Sequence, residues 1–342
     1  MSLGAILEYH GDANFTQEFQ FPLYGNNGTD HLVEIAHAIS LYLIPTICFL
    51  GIVGNVCSFF VFTLSTFRFL PCSLYLAALA VSDTGFLAAL FMAWLTSLMP
   101  WVAMAPGLCL TMVYITYVCS FLSAWYVVLM MVERFVVVCH PLKAPRYVTK
   151  RRSRMAVGFV TAFALILYLH SFLSTYVNVT VYGPSCSARE QYMKFNAIFT
   201  YIDSLVTFVV PFTAIVVLNI RIILTVRNFR LKHHPLHMYC MHQSEPGVLT
   251  QAQVRSTKML VLVSSIFVVL YLPSHAIRMY LLVRVLVRND HWMYDHTTVL
   301  AQQICQFPYF INFAVDFLVY SITSKNFRKN GVKLFRRLCD DD

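Results

Sequence analysis

The sequence is poor in charge and in residues that break regular structure. Only 12% of its 342 residues are Asp, Glu, Lys or Arg, against about 25% in soluble domains. Its 12 glycines and 13 prolines are too few for a collagen-like or low-complexity chain. Hydrophobic residues make up 58%, and the mean hydropathy is +0.64. Together these values exclude a soluble domain and indicate a chain that crosses a membrane several times.

Seven long apolar runs predict seven membrane-spanning helices, because a helix needs about 20 residues to cross a bilayer. These runs are continuously apolar and do not alternate apolar and polar residues, as the strands of a membrane β-barrel do. The predicted spans are 37–66, 72–99, 107–139, 154–177, 194–229, 252–284 and 296–321. The predicted fold class is an all-α membrane protein, a seven-transmembrane helix bundle with a short amphipathic eighth helix. Its parts are an extracellular tail (1–36), the seven-helix domain (37–324), and the amphipathic helix with a cytoplasmic tail (325–342).

The distribution of basic residues predicts the orientation. The first 67 residues contain no Lys or Arg, and with the N-terminus outside, 20 of the 25 basic residues fall in inner segments. This agrees with the positive-inside rule. The net charge of +9 is therefore interpreted as a basic inner surface that contacts anionic lipid, and not as a nucleic-acid site. Sequons at Asn14, Asn27 and Asn178 also fall outside and predict N-glycosylation of a multi-pass plasma-membrane protein.

Two of the ten cysteines lie plainly in outer segments, namely Cys109 and Cys186. The outer side is oxidising and favours disulfides. We expect these two cysteines to pair, and the alternative is two free thiols.

Several short motifs occur in a specific order and spacing. They are Gly54-Asn55, Leu79-Ala80-Val81-Ser82-Asp83, Trp101 before Cys109, Glu133-Arg134-Phe135, Pro211, Phe267 with Tyr271-Leu272-Pro273, and Asp316-Phe317-Leu318-Val319-Tyr320. Over about residues 37–339 the chain resembles the rhodopsin-like (class A) G-protein-coupled receptors. Within that family it looks most similar to invertebrate neuropeptide receptors of the FMRFamide, CNMamide or thyrotropin-releasing-hormone type.

The chain departs from the family pattern at a few positions. Its fourth span lacks the usual Trp, Tyr271 stands where the family usually has Trp, and Asn219 stands where it has Tyr. Gln253 replaces an acid that some members pair with the arginine of the third helix. Phe317 replaces a proline, so we expect the inner end of the seventh helix to be straighter.

The resemblance implies a receptor, not an enzyme, that transmits binding of an extracellular neuropeptide to heterotrimeric G proteins. A small non-peptide ligand is the alternative. Amine receptors need an acid where this chain has Thr116, and opsins need a lysine where it has Phe310. A transporter would predict repeats and broken helices, and an intramembrane enzyme would predict a catalytic constellation. Neither is found in the sequence.

The resemblance also implies four sets of functional residues. The outer cavity is expected to bind the ligand through Trp94, Thr116, Tyr117, Ser120, Asp203, Tyr271, His275, Arg278, Gln302 and Gln306. An Arg278 that snorkels outward and an Asp203 paired within the protein are the alternatives there. G-protein coupling is assigned to Glu133, Arg134 and Tyr320, and a packing switch to Pro211, Ala124 and Phe267.

The fourth set is a polar cluster within the membrane. Its residues are Asp83, Asn55, Ser123, Asn312 and Asp316. Carboxylates are costly at this depth unless hydrated or paired. Two carboxylates with several other oxygens suit a hard cation such as Na⁺, the one ion the resemblance implies, with no other cofactor. The alternative is a protonated, hydrogen-bonded network without an ion.

Overall fold

The computed structural model describes residues 29–180, 183–232, 251–288 and 296–340, and these form a bundle of long helices. The first four helices are α1 (Thr29–Leu64), α2 (Pro71–Leu98), α3 (Leu108–Cys139) and α4 (Lys150–Leu167). The fifth, α5, runs continuously through Met193–Ser204, Leu205–Val209 and Val210–Lys232. The remaining helices are α6 (Gln251–Arg288), α7 (His296–Thr323) and α8 (Lys325–Asp340).

Within the described residues, six helical segments are long and apolar enough to cross a membrane. They correspond to α1–α6, and all six coincide with predicted spans. Helix α7 is not among them by this measure. It nevertheless packs against α1 and α6 and so closes the bundle.

Two helices begin before the spans predicted for them. Helix α1 begins at Thr29, and its part that is long and apolar enough to cross a membrane is Ala38–Leu64, close to the predicted span 37–66. Helix α4 begins at Lys150 rather than near residue 154, because the Thr149 side chain caps it by accepting a hydrogen bond from the Arg152 N–H at 3.4 Å.

The outer end of the fourth span is not helical as far as residue 177. After a 3-10 turn at Tyr168–His170 and one helical turn, the chain enters strand β1 (Thr175–Thr180), which pairs antiparallel with β2 (Gly183–Ala188). This hairpin was not predicted. Its first strand is rich in Thr, Tyr and Val, which favour extended backbone. The all-helical part of the predicted class is therefore confirmed for the bundle, and the segment between the fourth and fifth helices contains a two-stranded hairpin.

Helix α5 contains a π-helical turn over Leu205–Val209. In such a turn each carbonyl bonds to the N–H five residues further on. For Val206 that residue is Pro211, which has no N–H. Trp125 of α3 supplies the missing donor, since its Nε1 lies 3.1 Å from the Val206 oxygen. The proline thus ties α5 to α3 through a side chain.

Helices α1 and α7 approach each other through glycine. A Cβ added to Gly51 would lie 2.7 Å from the Ala314 Cβ, and one added to Gly54 would lie 2.9 Å from the Phe317 Cβ. Asn55 donates from Nδ2 to the Phe313 oxygen at 2.7 Å along the same seam. Only glycine allows this spacing, so α1 and α7 are in close contact over about one turn.

We predict that Trp125→Phe destabilises the protein. The substitution keeps an aromatic ring but leaves the Val206 carbonyl without a donor, which costs about 1–3 kcal/mol for a buried group. The measurement is the melting midpoint of the purified protein in detergent, with Trp101→Phe as the matched control because Trp101 is 68% exposed. Equal melting of the two variants would contradict the role of the Val206 contact.

Candidate functional site

The ten residues predicted for the outer cavity all lie within the described chain and come from α2, α3, α5, α6 and α7. Seven of them are buried, namely Ser120, Asp203, Tyr271, His275, Arg278, Gln302 and Gln306. Trp94, Thr116 and Tyr117 are half-buried. The Thr116 hydroxyl donates to the Met112 oxygen of its own helix at 2.8 Å. Their role in ligand binding stays a prediction.

Tyr309 of α7 joins several of these residues. Its hydroxyl lies 2.8 Å from the Ser120 Oγ. Its ring lies 5.0 Å from that of Tyr271 and 6.1 Å from that of His275. The guanidinium carbon of Arg278 lies 5.6 Å from the centre of the same ring. Tyr309 therefore connects α3, α6 and α7 at the centre of the cluster.

Arg278 carries a buried positive charge. Its side chain is 3% exposed, and neither Nη1 nor Nη2 has a hydrogen-bond partner within the described protein. The face of Tyr309 offers a cation–π contact. Burying a charge without a counter-ion is expensive. Arg278 therefore does not snorkel outward in this structure.

Asp203 carries the opposite charge and is equally buried. One of its carboxylate oxygens, Oδ1, accepts a hydrogen bond from the Tyr168 hydroxyl. The other, Oδ2, has no partner among the described residues. Asp203 and Arg278 form no hydrogen bond with each other, and the partner of Asp203 within the described part of the chain is the Tyr168 hydroxyl.

Most of the unpartnered buried atoms in this cluster are donors. The donors are Nη1 and Nη2 of Arg278, Nε2 of Gln302 and Nε1 of Trp94. Oδ2 of Asp203 is an acceptor, and the Tyr271 hydroxyl and Nε2 of His275 can act in either role. Buried polar atoms in folded proteins are nearly always bonded. The cluster is therefore chemically suited to a molecule with several acceptors and one donor or cationic group.

A second polar cluster lies deeper in the bundle. Three of its oxygens are buried without a hydrogen-bond partner in the described protein, namely Oδ1 of Asn55, Oδ1 of Asp83 and Oγ of Ser123. Asn312 is buried and Asp316 half-buried on α7, and Asp316 accepts from the Tyr320 hydroxyl at 3.4 Å. The unsatisfied oxygens fit a hard cation. The predicted Na⁺ itself stays a prediction.

The inner end of the bundle holds the residues predicted to couple to a G protein. Arg134 donates to the adjacent Glu133 at 2.6 Å, and Ser153 of α4 donates to the other carboxylate oxygen at 3.4 Å. Tyr320 packs edge-on against Phe62 of α1 at 5.3 Å and also contacts Phe327 of α8. Glu133 thus neutralises Arg134 in this structure.

A comparison with known families decides the identity of the bundle. The family model described as "7 transmembrane receptor (rhodopsin family)" matches residues 54–320. The chain belongs to this family. The resemblance drawn from the motifs is confirmed, and this family consists of signalling receptors.

Three relatives illustrate how far the likeness extends. The thyrotropin-releasing hormone receptor of Gallus gallus is 24% identical over 88% of this chain and 78% of its own length. The thyrotropin-releasing hormone receptor of Mus musculus is 27% identical over 88% and 79%. Galanin receptor 2a of Danio rerio is 22% identical over 66% and 58%.

The predicted disulfide of the receptor is confirmed. Cys109 at the start of α3 is bonded to Cys186 of β2, and both are buried. Val177 faces Cys186 across the hairpin, so the bond fixes the hairpin to α3. The Asn178 sequon lies on β1. The other two sequons, at Asn14 and Asn27, lie outside the described residues, and glycosylation stays a prediction at all three.

Two departures of the receptor from its family can be placed. Asn219 links α5 to α6, because its Oδ1 accepts from Ser264 at 2.9 Å and its Nδ2 donates to Ser265 at 3.5 Å. Helix α7 lacks a proline at Phe317 but contains Pro308 nearer its other end. The ring of Phe267, a residue of the predicted packing switch, stacks on the Tyr271 ring with 4.1 Å between the ring centres.

Tyr168 and Tyr309 contact the cavity residues but were not among the residues predicted for the cavity. Tyr309 left a signal, because it follows Gln302 and Gln306 at a spacing that puts all three on one helix face. Tyr168 left none, because its contact with Asp203 depends on where α4 ends and how the next turn is directed.

We predict that Cys109→Ser and Cys186→Ser each lower surface expression and the melting midpoint. Loss of a native disulfide typically costs about 2–5 kcal/mol, and here it would release the hairpin from α3. Flow cytometry and thermal unfolding measure the two effects. Cys57→Ser is the control, since Cys57 is a free, half-buried cysteine of α1. Wild-type behaviour of both test variants would contradict the prediction.

Proposed function

We propose that this receptor binds an extracellular peptide in its outer cavity and transmits binding to a heterotrimeric G protein. The observation that carries the proposal is the set of buried, unpartnered polar groups around Arg278 and Asp203. A peptide offers many carbonyl acceptors and, with a basic residue, one cation. The relatives are receptors, by name, for thyrotropin-releasing hormone and galanin, which supports a ligand of this kind.

The proposed topology has seven crossings with the N-terminus outside, in the plasma membrane. Helix α7 would be the seventh crossing, and α8 would lie on the inner surface. The charge distribution supports this orientation. Arg328 of α8 donates to the carbonyls of Ser321 and Ile322 at 2.6 and 2.9 Å, which satisfies the end of α7 where the chain turns.

Signal transmission requires only that the ligand bind one conformation better than another. Arg278 contacts Tyr309, Tyr309 contacts Tyr271, and Tyr271 stacks on Phe267 one turn further inward. A ligand acceptor that draws Arg278 away from the Tyr309 ring would disturb this column of aromatic rings. In this proposal, α6 then shifts at its inner end and exposes Arg134 to the G protein.

We also propose that Na⁺ binds the inner polar cluster in the resting receptor. Asp83, Asn55, Ser123, Asn312 and Asp316 would hold it through oxygen atoms. Three of those oxygens have no partner within the described protein, and a cation would satisfy all three. The ion would favour the resting conformation if it bound that conformation more tightly.

We predict that Na⁺ weakens agonist affinity and raises the melting midpoint of the ligand-free receptor. Asp83→Asn should abolish both effects, because it removes the negative charge that attracts the ion. The measurements are radioligand competition and thermal unfolding in NaCl against choline chloride at constant ionic strength. Responses that are flat in Na⁺ in the wild type would favour the protonated network instead.

The signalling experiment is a screen of amidated and free-acid peptides on cells that express the full chain, with calcium and cAMP readouts. We predict that Arg278→Ala and Asp203→Ala each reduce the potency of an active peptide at least tenfold, which corresponds to about 1.4 kcal/mol. Removing one partner of a desolvated charge contact typically costs about 2–5 kcal/mol. Arg189→Ala is the control, because Arg189 is an exposed basic residue after β2.

Surface expression is measured in parallel by flow cytometry. Unchanged potency in both test variants would remove these residues from the ligand site. Activation by small carboxylates and by no peptide would favour the non-peptide alternative.

A further inference from the structure

We propose that Tyr168 makes Asp203 a one-point acceptor, so that the cavity prefers a ligand with an ammonium group over one with a guanidinium group. This inference rests on the proposed function of the outer cavity and specifies the chemistry of its acidic pole. Tyr168 is then a positioning residue, which acts on the ligand through Asp203.

The Tyr168 ring is held in place on several sides. It is fully buried and stacks on Tyr117 of α3 at 5.4 Å with nearly parallel planes. Phe121 of α3 and Phe199 of α5 each meet it edge-on at 5.9 Å. A side chain enclosed in this way cannot change rotamer without repacking its neighbours. The direction of its hydroxyl is therefore fixed by the packing of α3 against α5.

That hydroxyl defines how Asp203 can be recognised. The phenol donates to Oδ1, and Oδ2 is left buried without a partner in the described protein. Protonating the carboxyl group would not satisfy it, because the new O–H on Oδ2 would lack an acceptor. The buried Oδ2 needs a donor, and Arg278 does not supply one, because neither of its Nη atoms has a hydrogen-bond partner among the described residues. A ligand cation is the group that fits.

The kind of cation follows from the two oxygens being unequal. A guanidinium group binds a carboxylate best as a fork, with one N–H to each oxygen. An ammonium group is a compact point charge that needs only one oxygen. A carboxylate oxygen can accept a second hydrogen bond, but at Oδ1 the buried phenol of Tyr168 already takes one acceptor site and stands beside the oxygen. The second arm of a fork therefore competes with Tyr168 at Oδ1, whereas a single contact to Oδ2 meets no such competitor. A lysine side chain or a free N-terminal amine meets this requirement.

The test uses small probes and the purified full-length receptor. N-acetyl-lysinamide, N-acetyl-argininamide and N-acetyl-norleucinamide share a backbone and differ in the side-chain head group. We expect wild-type receptor to bind the lysine probe at least fivefold more tightly than the arginine probe and more tightly than the neutral one, measured by saturation-transfer NMR titration. Tyr168→Phe should reduce the lysine-to-arginine ratio at least threefold, and Asp203→Asn should remove the preference for either cation over norleucine.

Tyr114→Phe is the matched control. The Tyr114 hydroxyl also ties α3 to the fourth span, by donating to the Leu165 oxygen at 3.0 Å, but it has no contact with Asp203. If Tyr168 acted only by holding the helices together, Tyr168→Phe would behave like Tyr114→Phe. Both variants would then bind all three probes more weakly, with an unchanged lysine-to-arginine ratio. Melting curves confirm that each variant is folded.

A wild-type ratio near one, or a ratio in Tyr168→Phe equal to wild type, would overturn the inference. Its failure is distinguishable from failure of the proposed function. Peptides that signal through the receptor without any ammonium preference overturn this inference alone. Selective probe binding without any G-protein response overturns the proposed signalling alone.

Discussion

The membrane interior supplies no water to polar groups, and this constraint determines which hydrogen bonds the protein has to form internally. Backbone groups within a span must bond inside the protein. Where a proline removes a donor, a side chain has to replace it, as Trp125 does for the Val206 carbonyl beside Pro211. The same constraint makes each unpartnered side-chain atom informative, because leaving a buried polar group unbonded is costly. In the described residues such atoms concentrate in the outer cavity and in the cluster around Asp83.

The two clusters differ in chemistry, and the difference fits different occupants. The outer one combines several donors with a single unpartnered carboxylate oxygen, and aromatic rings lie among them. The deeper one presents oxygen atoms from α1, α2 and α3. The first suits an organic molecule with acceptors at one end and a cation at the other. The second suits a small hard cation. The Tyr271 and Tyr309 rings lie beside Phe313, which connects the regions along α7.

Much of the fold could be predicted because its signals are local. Long apolar runs located the spans, and the motif order gave the family and the Cys109–Cys186 bond. The hairpin was missed because its first strand continues an apolar run without a break, so hydropathy could not find the end of the fourth helix. The contact of Tyr168 with Asp203 joins residues 35 positions apart and depends on that same helix end. The π-turn was missed because it needs both Pro211 and a donor on α3.

The glycine seam between α1 and α7 has a practical consequence for measuring motion in this receptor. With Ala314 and Phe317 seated against Gly51 and Gly54, the two helices cannot slide or separate without breaking a tight interlock. They form a fixed frame of reference inside the molecule. A pair of spectroscopic labels on α1 and α7 would therefore serve as an internal ruler of constant length. Displacements of α5 and α6 could be read against it in the same sample.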